Sequence, residues 1–230
     1  MKVLVAETSW EAMSVSAELQ AQDVGVIRSE DSDEFCFLAE LAEPTAALFD
    51  IRLPGLSVRS AVRKLRHVDP RICLVAIDRS DDPLERARAL DAGVDDVVAG
   101  TTDAAETVAR IRAVVRRRAG RATPRIEVGA LTLDMTDRSA AVCGTPMRLT
   151  RLEYQLLEFL VLGLGALREK AAILNHLYSF GEEPDSRTVD AYICRLRGEI
   201  ARLGGDPSMI RTVWARGYMM SEAVEMPAAA

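Results

Sequence analysis

The chain has 230 residues, 49% of them apolar, and a formal net charge of −6. That length accommodates two domains of ordinary size with packed cores, and no apolar run reaches the ~18 residues needed to cross a bilayer. The acidic balance argues against a surface coated with phosphate contacts, but it is uneven: residues 1–120 hold 21 acidic and 16 basic side chains, net −5, and residues 121–230 hold 14 and 13, net −1. The N-terminus has one Lys and passes directly into a strand pattern, so a signal peptide is not expected. Cys36, Cys73, Cys143 and Cys194 are widely spaced without CxxC pairing, which fits reduced cytoplasmic thiols rather than a metal site.

In chain order, strand-like runs at 3–6, 24–28, 46–49, 72–77 and 96–99 alternate with helical stretches, the last from 102 to about 118. Five βα units over residues 1–118 predict an α/β domain, a five-stranded parallel sheet covered on both faces. Residues 119–125 read as a linker, since the basic run from Arg116 meets Gly120 and Pro124, which end any helix. Residues 126–222 make the second domain. Two alternating runs, 131–134 and 140–143, predict strands. Thr150 followed by Glu153 is a capping box, after which Leu152, Leu156, Leu157 and Leu160 repeat at helical spacing. Residues 168–178 read as a second short amphipathic helix. A third helix follows Pro184, with Asp185 or Ser186 as its cap. On it Val189, Ile193, Leu196 and Ile200 form an apolar stripe, which leaves Arg187, Tyr192, Arg195 and Arg197 to project elsewhere or along the edges. Residues 211–218 read as a β-hairpin with Arg216 near its tip. Small sheet, three helices and hairpin together make a winged-helix (α+β) domain. Residues 223–230 show no pattern and are expected to be a disordered tail.

A basic helix beside a basic hairpin suits double-stranded DNA, the helix in the major groove and the hairpin at a neighbouring groove or the phosphates. Composition alone equally fits a solvated charged helix packed on a small sheet. On the DNA reading, Arg187, Arg195 and Arg197 read guanine edges or clamp phosphates, and Tyr192 meets a thymine methyl. Thr212 lies on the hairpin, and Arg216 anchors the backbone or a narrow minor groove. His67 and His176 are isolated, and the Ser, Cys and Asp residues form no nucleophile set, so neither an enzyme nor a cofactor is expected.

Leu149-Thr150…Glu153-Tyr154, Arg187-Thr188-Val189-Asp190…Ile193…Arg195-Leu196-Arg197 and Thr212-Val213-Trp214-Ala215-Arg216-Gly217-Tyr218 resemble, in order and spacing, the landmarks of the DNA-binding domain of OmpR/PhoB-type response regulators. Within that family, Asn175-His176-Leu177-Tyr178, Ile193-Cys194-Arg195-Leu196-Arg197 and Thr212-Val213-Trp214 are most similar to the CtrA-like cell-cycle regulators of alphaproteobacteria. The first domain resembles the family's receiver, so the resemblance covers the whole chain and implies a two-component transcriptional regulator. In receivers a third-strand Asp accepts phosphate, and Asp50 in Ala47-Leu48-Phe49-Asp50-Ile51-Arg52-Leu53-Pro54-Gly55 matches it. Other positions depart from the family. Two acidic residues after the first strand normally help hold a divalent metal, whereas here Glu7 is followed by Thr8. The fourth-strand Thr or Ser aligns with Asp78, the Lys after the fifth strand with Gly100-Thr101, and the aromatic switch residue with Val97. A metal ligand, a hydroxyl donor and a counter-charge are lost and a like charge is gained. A carboxylate beside a phosphoryl group costs about 4 kcal/mol at an effective dielectric near 20. The expectation is a vestigial acceptor pocket of Glu7, Asp50 and Asp78.

Members of the family dimerise on activation through helix four, strand five and helix five. The matching charges are Arg86, Asp95, Asp96, Glu106, Arg110 and Arg117, all with the family's signs. They imply the pairs Asp96–Arg110, Asp95–Arg117 and Arg86–Glu106 across a two-fold axis, each exposed pair worth ~0.2–1 kcal/mol. The implied function is a phosphorylation-independent homodimer on direct or inverted DNA half-sites, with no membrane partner. The alternatives are a conventional phosphorelay output using Asp50, and an interaction protein whose receiver-like domain answers to a protein or small-molecule ligand. The loop Phe180-Gly181-Glu182-Glu183-Pro184 matches a region that contacts RNA polymerase in the family.

Overall fold

The computed structural model describes residues 1–178, 185 and 187–221, and the chain divides into two units, Met1–Gly120 and Arg121–Ala230. The anticipated tail at 223–230, the loop at 180–184 and the Ser186 cap lie outside the described residues.

The first unit alternates β1 (Lys2–Ala6), α1 (Trp10–Ala21), β2 (Gly25–Ser29), α2 (Ser32–Ala42), β3 (Ala46–Asp50), α3 (Val58–Val68), β4 (Cys73–Asp78), α4 (Pro83–Asp91), β5 (Asp96–Ala99) and α5 (Ala104–Arg118). The strand order is β2-β1-β3-β4-β5, parallel throughout. β1, β3 and β4 are buried along their whole length. Helices on both faces leave no solvated side, so these strands read as continuous apolar runs rather than alternating ones. Each helix is started by a side chain that accepts from a first-turn N–H: Ser9, Asp31, Ser57, Asp82 and Asp103, which satisfies donors the helix cannot. The second and fourth strands run one residue later than the sequence pattern suggests. Asp78 thereby becomes the last residue of β4, as Asp50 is of β3, and Glu7 follows the end of β1. The three acids share the carboxyl edge of the sheet, where open α/β folds build their sites.

The second unit opens with four antiparallel strands, β6 (Arg125–Val128), β7 (Leu131–Asp134), β8 (Ser139–Val142) and β9 (Thr145–Pro146), where two were expected. Arg125, assigned above to the linker, is the first residue of β6, whose Ile126 and Val128 are buried while Arg125 and Glu127 are exposed. Next come α6 (Arg151–Leu162), β10 (Arg168–Glu169), α7 (Lys170–Leu177), α8 (Arg187–Arg202), a 3-10 turn at Pro207–Met209, β11 (Ile210–Val213) and β12 (Gly217–Met220). The helix expected at 168–178 thus begins at Lys170. Arg168 and Glu169 instead pair with β12 in a sheet of order β10-β12-β11. That pairing needs Gly217, because a Cβ there would lie 2.0 Å from the Arg168 carbonyl oxygen. The apolar stripe of α8, Val189, Ile193, Leu196 and Ile200, is fully buried in one cluster with Leu156, Leu157, Leu160 and Tyr218. At ~1.5–3 kcal/mol per buried side chain, it fixes the roll of the helix. His176 is buried and stacked on Phe159 at 4.1 Å, inside the core. Among the described residues no helix is long and apolar enough to cross a membrane.

Candidate nucleic-acid interface and the acidic pocket

With its apolar stripe committed to the core, α8 exposes Arg187, Ala191, Cys194, Arg195 and Gly198, positions that fall on one face. Arg187 stands at the start of the helix, 90% exposed, 3.8 Å from Asp185. The Asp185 carboxylate accepts from the Arg187 N–H at 3.0 Å, as a cap does. Arg195 is aimed by the neighbouring helix. Its Nε lies 3.1 Å from Glu153 Oε1 and its guanidinium 4.8 Å above the Tyr192 ring. Glu153 is buried because it belongs to the α6 capping box, in which its Oε2 accepts from Thr150 N–H at 2.8 Å. One carboxylate therefore both starts α6 and orients a cation of α8.

Two residues expected on the reading face are placed differently. Tyr192 is half-buried against the core, its hydroxyl 3.1 Å from that of Tyr178. Its position is next to the buried Ile193, so the ring is drawn inward. Arg197 is half-buried too. It donates through Nε and Nη2 to the Ile210 carbonyl at 3.1 and 2.5 Å, and through Nη2 to Thr212 Oγ1 at 2.8 Å. Arg197 and Thr212 thus fasten the hairpin to α8. A second fastening was not legible in the sequence. Asp190 receives Lys170 Nζ at 2.7 Å and the Tyr218 hydroxyl at 2.6 Å, joining α7, α8 and β12. Lys170, then Tyr218, holds the Asp190 carboxyl below its usual range. Burial, then Asp190, pushes the Tyr218 hydroxyl up to about 12. The motif residues Asp190 and Tyr218 are present in the sequence, but only the fold makes them neighbours. Arg216 lies in the hairpin loop, 64% exposed and 3.9 Å from Glu169.

In the first unit, Asp50 and Asp78 are each only 2% exposed. Asp50 Oδ2 is ion-paired with the Arg79 guanidinium, and its Oδ1 accepts from Arg52 N–H at 2.8 Å. The pair raises the Arg79 pKa above its ordinary value. Asp78 Oδ1 accepts from the Ser80 N–H at 2.8 Å and hydroxyl at 2.6 Å, and its Oδ2 lies 3.2 Å from Arg86 Nε. Glu7 is paired with Arg28 of β2 at 3.1 Å. Each acid thus has an arginine from the same chain. Gly100 takes part as well, since a Cβ there would lie 2.9 Å from Arg79 Cγ. This donor set does not fit a divalent cation: its carboxylates face guanidinium groups, and among the described residues no three His, Cys, Asp or Glu side chains are grouped to hold a metal.

The charges expected to bridge two subunits have partners within the chain. Arg110 meets Glu106 at 2.7 Å and Asp96 at 3.6 Å. Arg86 is turned to Asp78 and to Asp81, the latter at 2.8 Å, rather than toward Glu106. Asp95 is held by Arg66 and Arg118, each at 2.8 Å, and accepts from Leu74 N–H at 2.7 Å. Arg86 and Asp95 therefore brace their own unit. Arg117 Nε donates to the Ala113 carbonyl at 3.3 Å.

A parallel five-stranded α/β unit with acids at its strand ends, followed by a winged helix, defines a response regulator with a DNA-binding output. Residues 144–220 match the family described as transcriptional regulatory protein, C terminal. The cell cycle response regulator CtrA of Brucella ovis is 32% identical over 220 residues, covering 96% of this chain and 95% of the relative. The CtrA of Brucella anthropi matches to the same extent. Among solved structures, Thermotoga maritima DrrB, an OmpR/PhoB homologue, is 22% identical with a TM-score of 0.44, covering 96% of this chain and 97% of its own. The Klebsiella pneumoniae RstA DNA-binding domain, solved with the RstA box, is 28% identical with a TM-score of 0.38, covering 44% and 99%. The chain belongs to the OmpR/PhoB family of response regulators.

Proposed function

We propose that this chain is a sequence-specific regulator of transcription that binds double-stranded DNA as a dimer without phosphorylation of Asp50, in the cytoplasm. The Asp50–Arg79 ion pair carries this reading. A phosphoryl acceptor needs a free carboxylate oxygen and a cation arranged around the incoming group. Here one oxygen of Asp50 is engaged by Arg79 and the other by a backbone N–H. Asp78, at the end of the adjoining strand, adds a second buried carboxylate, itself paired with Arg86, where the incoming phosphoryl group is anionic. Dimerisation uses α4, β5 and α5, with Asp96, Glu106, Arg110 and Arg117 as the charges and the exposed Leu84 and Leu90 as apolar area. Arg187 and Arg195 read bases, while Arg197 and Thr212 position the hairpin that carries Arg216. The acidic segment 180–184 is the part offered to RNA polymerase. The test adds a small-molecule phosphodonor and magnesium to wild type and to Asp50→Asn, and measures the affinity of each for its DNA. Both proteins should bind equally well with and without the donor. Tightening of the wild type that Asp50→Asn abolishes would restore the conventional phosphorelay.

A further inference from the structure

Glu153 is 6% exposed, and each of its carboxylate oxygens has its own partner. Oε2 accepts from the Thr150 N–H at 2.8 Å, while the Glu153 N–H donates to Thr150 Oγ1 at 3.4 Å, which fixes the side chain against the first turn of α6. Oε1 lies 3.1 Å from Arg195 Nε on α8. Leu156, Leu157 and Leu160 root α6 in the same core as the α8 stripe, so the two partners are held in register by packing and not by the ion pair alone.

The asymmetry of the pair decides what it does. The Arg195 side chain is 58% exposed and that of Glu153 only 8%. A cation that swung away to a phosphate would leave a buried carboxylate without its counter-charge, in return for an exposed contact worth little. A guanine edge asks for no such exchange. The guanidinium is a planar fork with donors on Nε and on both terminal nitrogens. With Nε at Glu153 and Cζ 4.8 Å above the Tyr192 ring, the fork is held in place while its terminal nitrogens can take the paired acceptors O6 and N7 of one base. Its stem is ordered before DNA arrives, so binding does not have to order it.

We propose that Glu153 is a positioning residue that sets the specificity of DNA binding: it holds Arg195 in the free and the bound chain alike, so that Arg195 engages a guanine edge where one is present and is withheld from phosphates elsewhere. This rests on the reading of α8 as the major-groove helix. The probes are a duplex enriched by the wild-type chain from a random-sequence pool and a scrambled duplex of the same length and composition. Both are fluorescein-labelled and read by anisotropy over a series of salt concentrations. Glu153→Gln keeps the cap and removes the charge. It should bind the scrambled duplex about fivefold more tightly near ~0.15 M salt, with a salt slope steeper by about one, the signature of one added phosphate contact. It should bind the enriched duplex about threefold more weakly, from the lost ordering of one side chain. In an Arg195→Ala background the same substitution should change neither affinity. Thr150→Ala, which loosens the cap and spares the pair, should lower the melting temperature and keep the ratio of the two affinities. Glu153→Asp, which keeps the charge but draws it back from Nε, should lower that ratio as Glu153→Gln does. A Glu153→Gln ratio equal to that of wild type, an equal loss on both duplexes, or an effect that persists in Arg195→Ala would overturn the proposal and leave the major-groove reading intact. Arg195→Ala that binds the enriched duplex as tightly as wild type, or failure to enrich any duplex, would overturn both.

Discussion

Arg195 and Arg197 stand two positions apart on α8 and do different work. Arg195 is 58% exposed and held by one carboxylate and one ring, which leave its terminal nitrogens to reach a base edge. Arg197 has its donors on the Ile210 carbonyl and Thr212. Arg195→Ala should therefore cost ~1–3 kcal/mol of specific DNA affinity, concentrated at one base position, with little change in melting temperature. Arg197→Ala should destabilise the second unit by ~1.5–3 kcal/mol, the range for hydrogen bonds of a charged group, and weaken binding to all sequences alike. Melting curves and binding to a panel of single-base variants separate the two, and the opposite pattern would exchange the roles. Arg216→Ala should weaken all sequences equally without changing the melt, and a loss at one base position would make Arg216 a reader.

Among the elements, the hairpin depends most on neighbours far away in sequence. The Asp190 carboxyl is held below its ordinary range in the folded chain. Its contribution is therefore full above the unfolded value, near 3.9, and is lost as pH falls through the lower folded value. In acid the second unit should weaken with that window, and Asp190→Asn should remove this part of the pH dependence. An acid unfolding curve of Asp190→Asn that tracks wild type would contradict it. Gly217→Ala should cost more than ~2 kcal/mol by driving β10 off β12, read as a lowered calorimetric transition of the second unit; an unchanged transition would show that β10 is dispensable. These contacts also mark how far the sequence was legible. The α8 stripe was readable because its apolar residues repeat at the helical period, and the five βα units because their strands are apolar throughout. β6 was hidden because its four alternating residues adjoin the Arg- and Pro-rich stretch. β10 was hidden because two residues carry no period and pair only across Gly217. The Arg79 partner of Asp50 follows the end of the next strand and becomes its neighbour only in the fold. Charge sign alone does not reveal that Arg86 lies nearest Asp78 and Asp81 within the chain, or Asp95 nearest Arg66 and Arg118.

At the scale of the whole molecule, the proposed reading gives a receiver whose acids are matched by its own arginines no phosphoryl event with which to time assembly. On that reading the proposed dimer is set by the surface of α4, β5 and α5. Two winged helices joined in this way meet half-sites about one DNA turn apart, and the link raises the effective concentration of the second contact. That offsets the near-neutral charge of residues 121–230, which supplies little non-specific attraction. The most direct measurement is sedimentation equilibrium of the unmodified wild type and of Arg110→Glu at micromolar concentration, with a duplex of two half-sites added in parallel. An unphosphorylated wild-type dimer is expected, with the Arg110→Glu protein shifted toward monomer and weaker in its affinity for the paired half-sites. A wild type that is monomeric up to its solubility limit, or an Arg110→Glu dimer as stable as wild type, would contradict it.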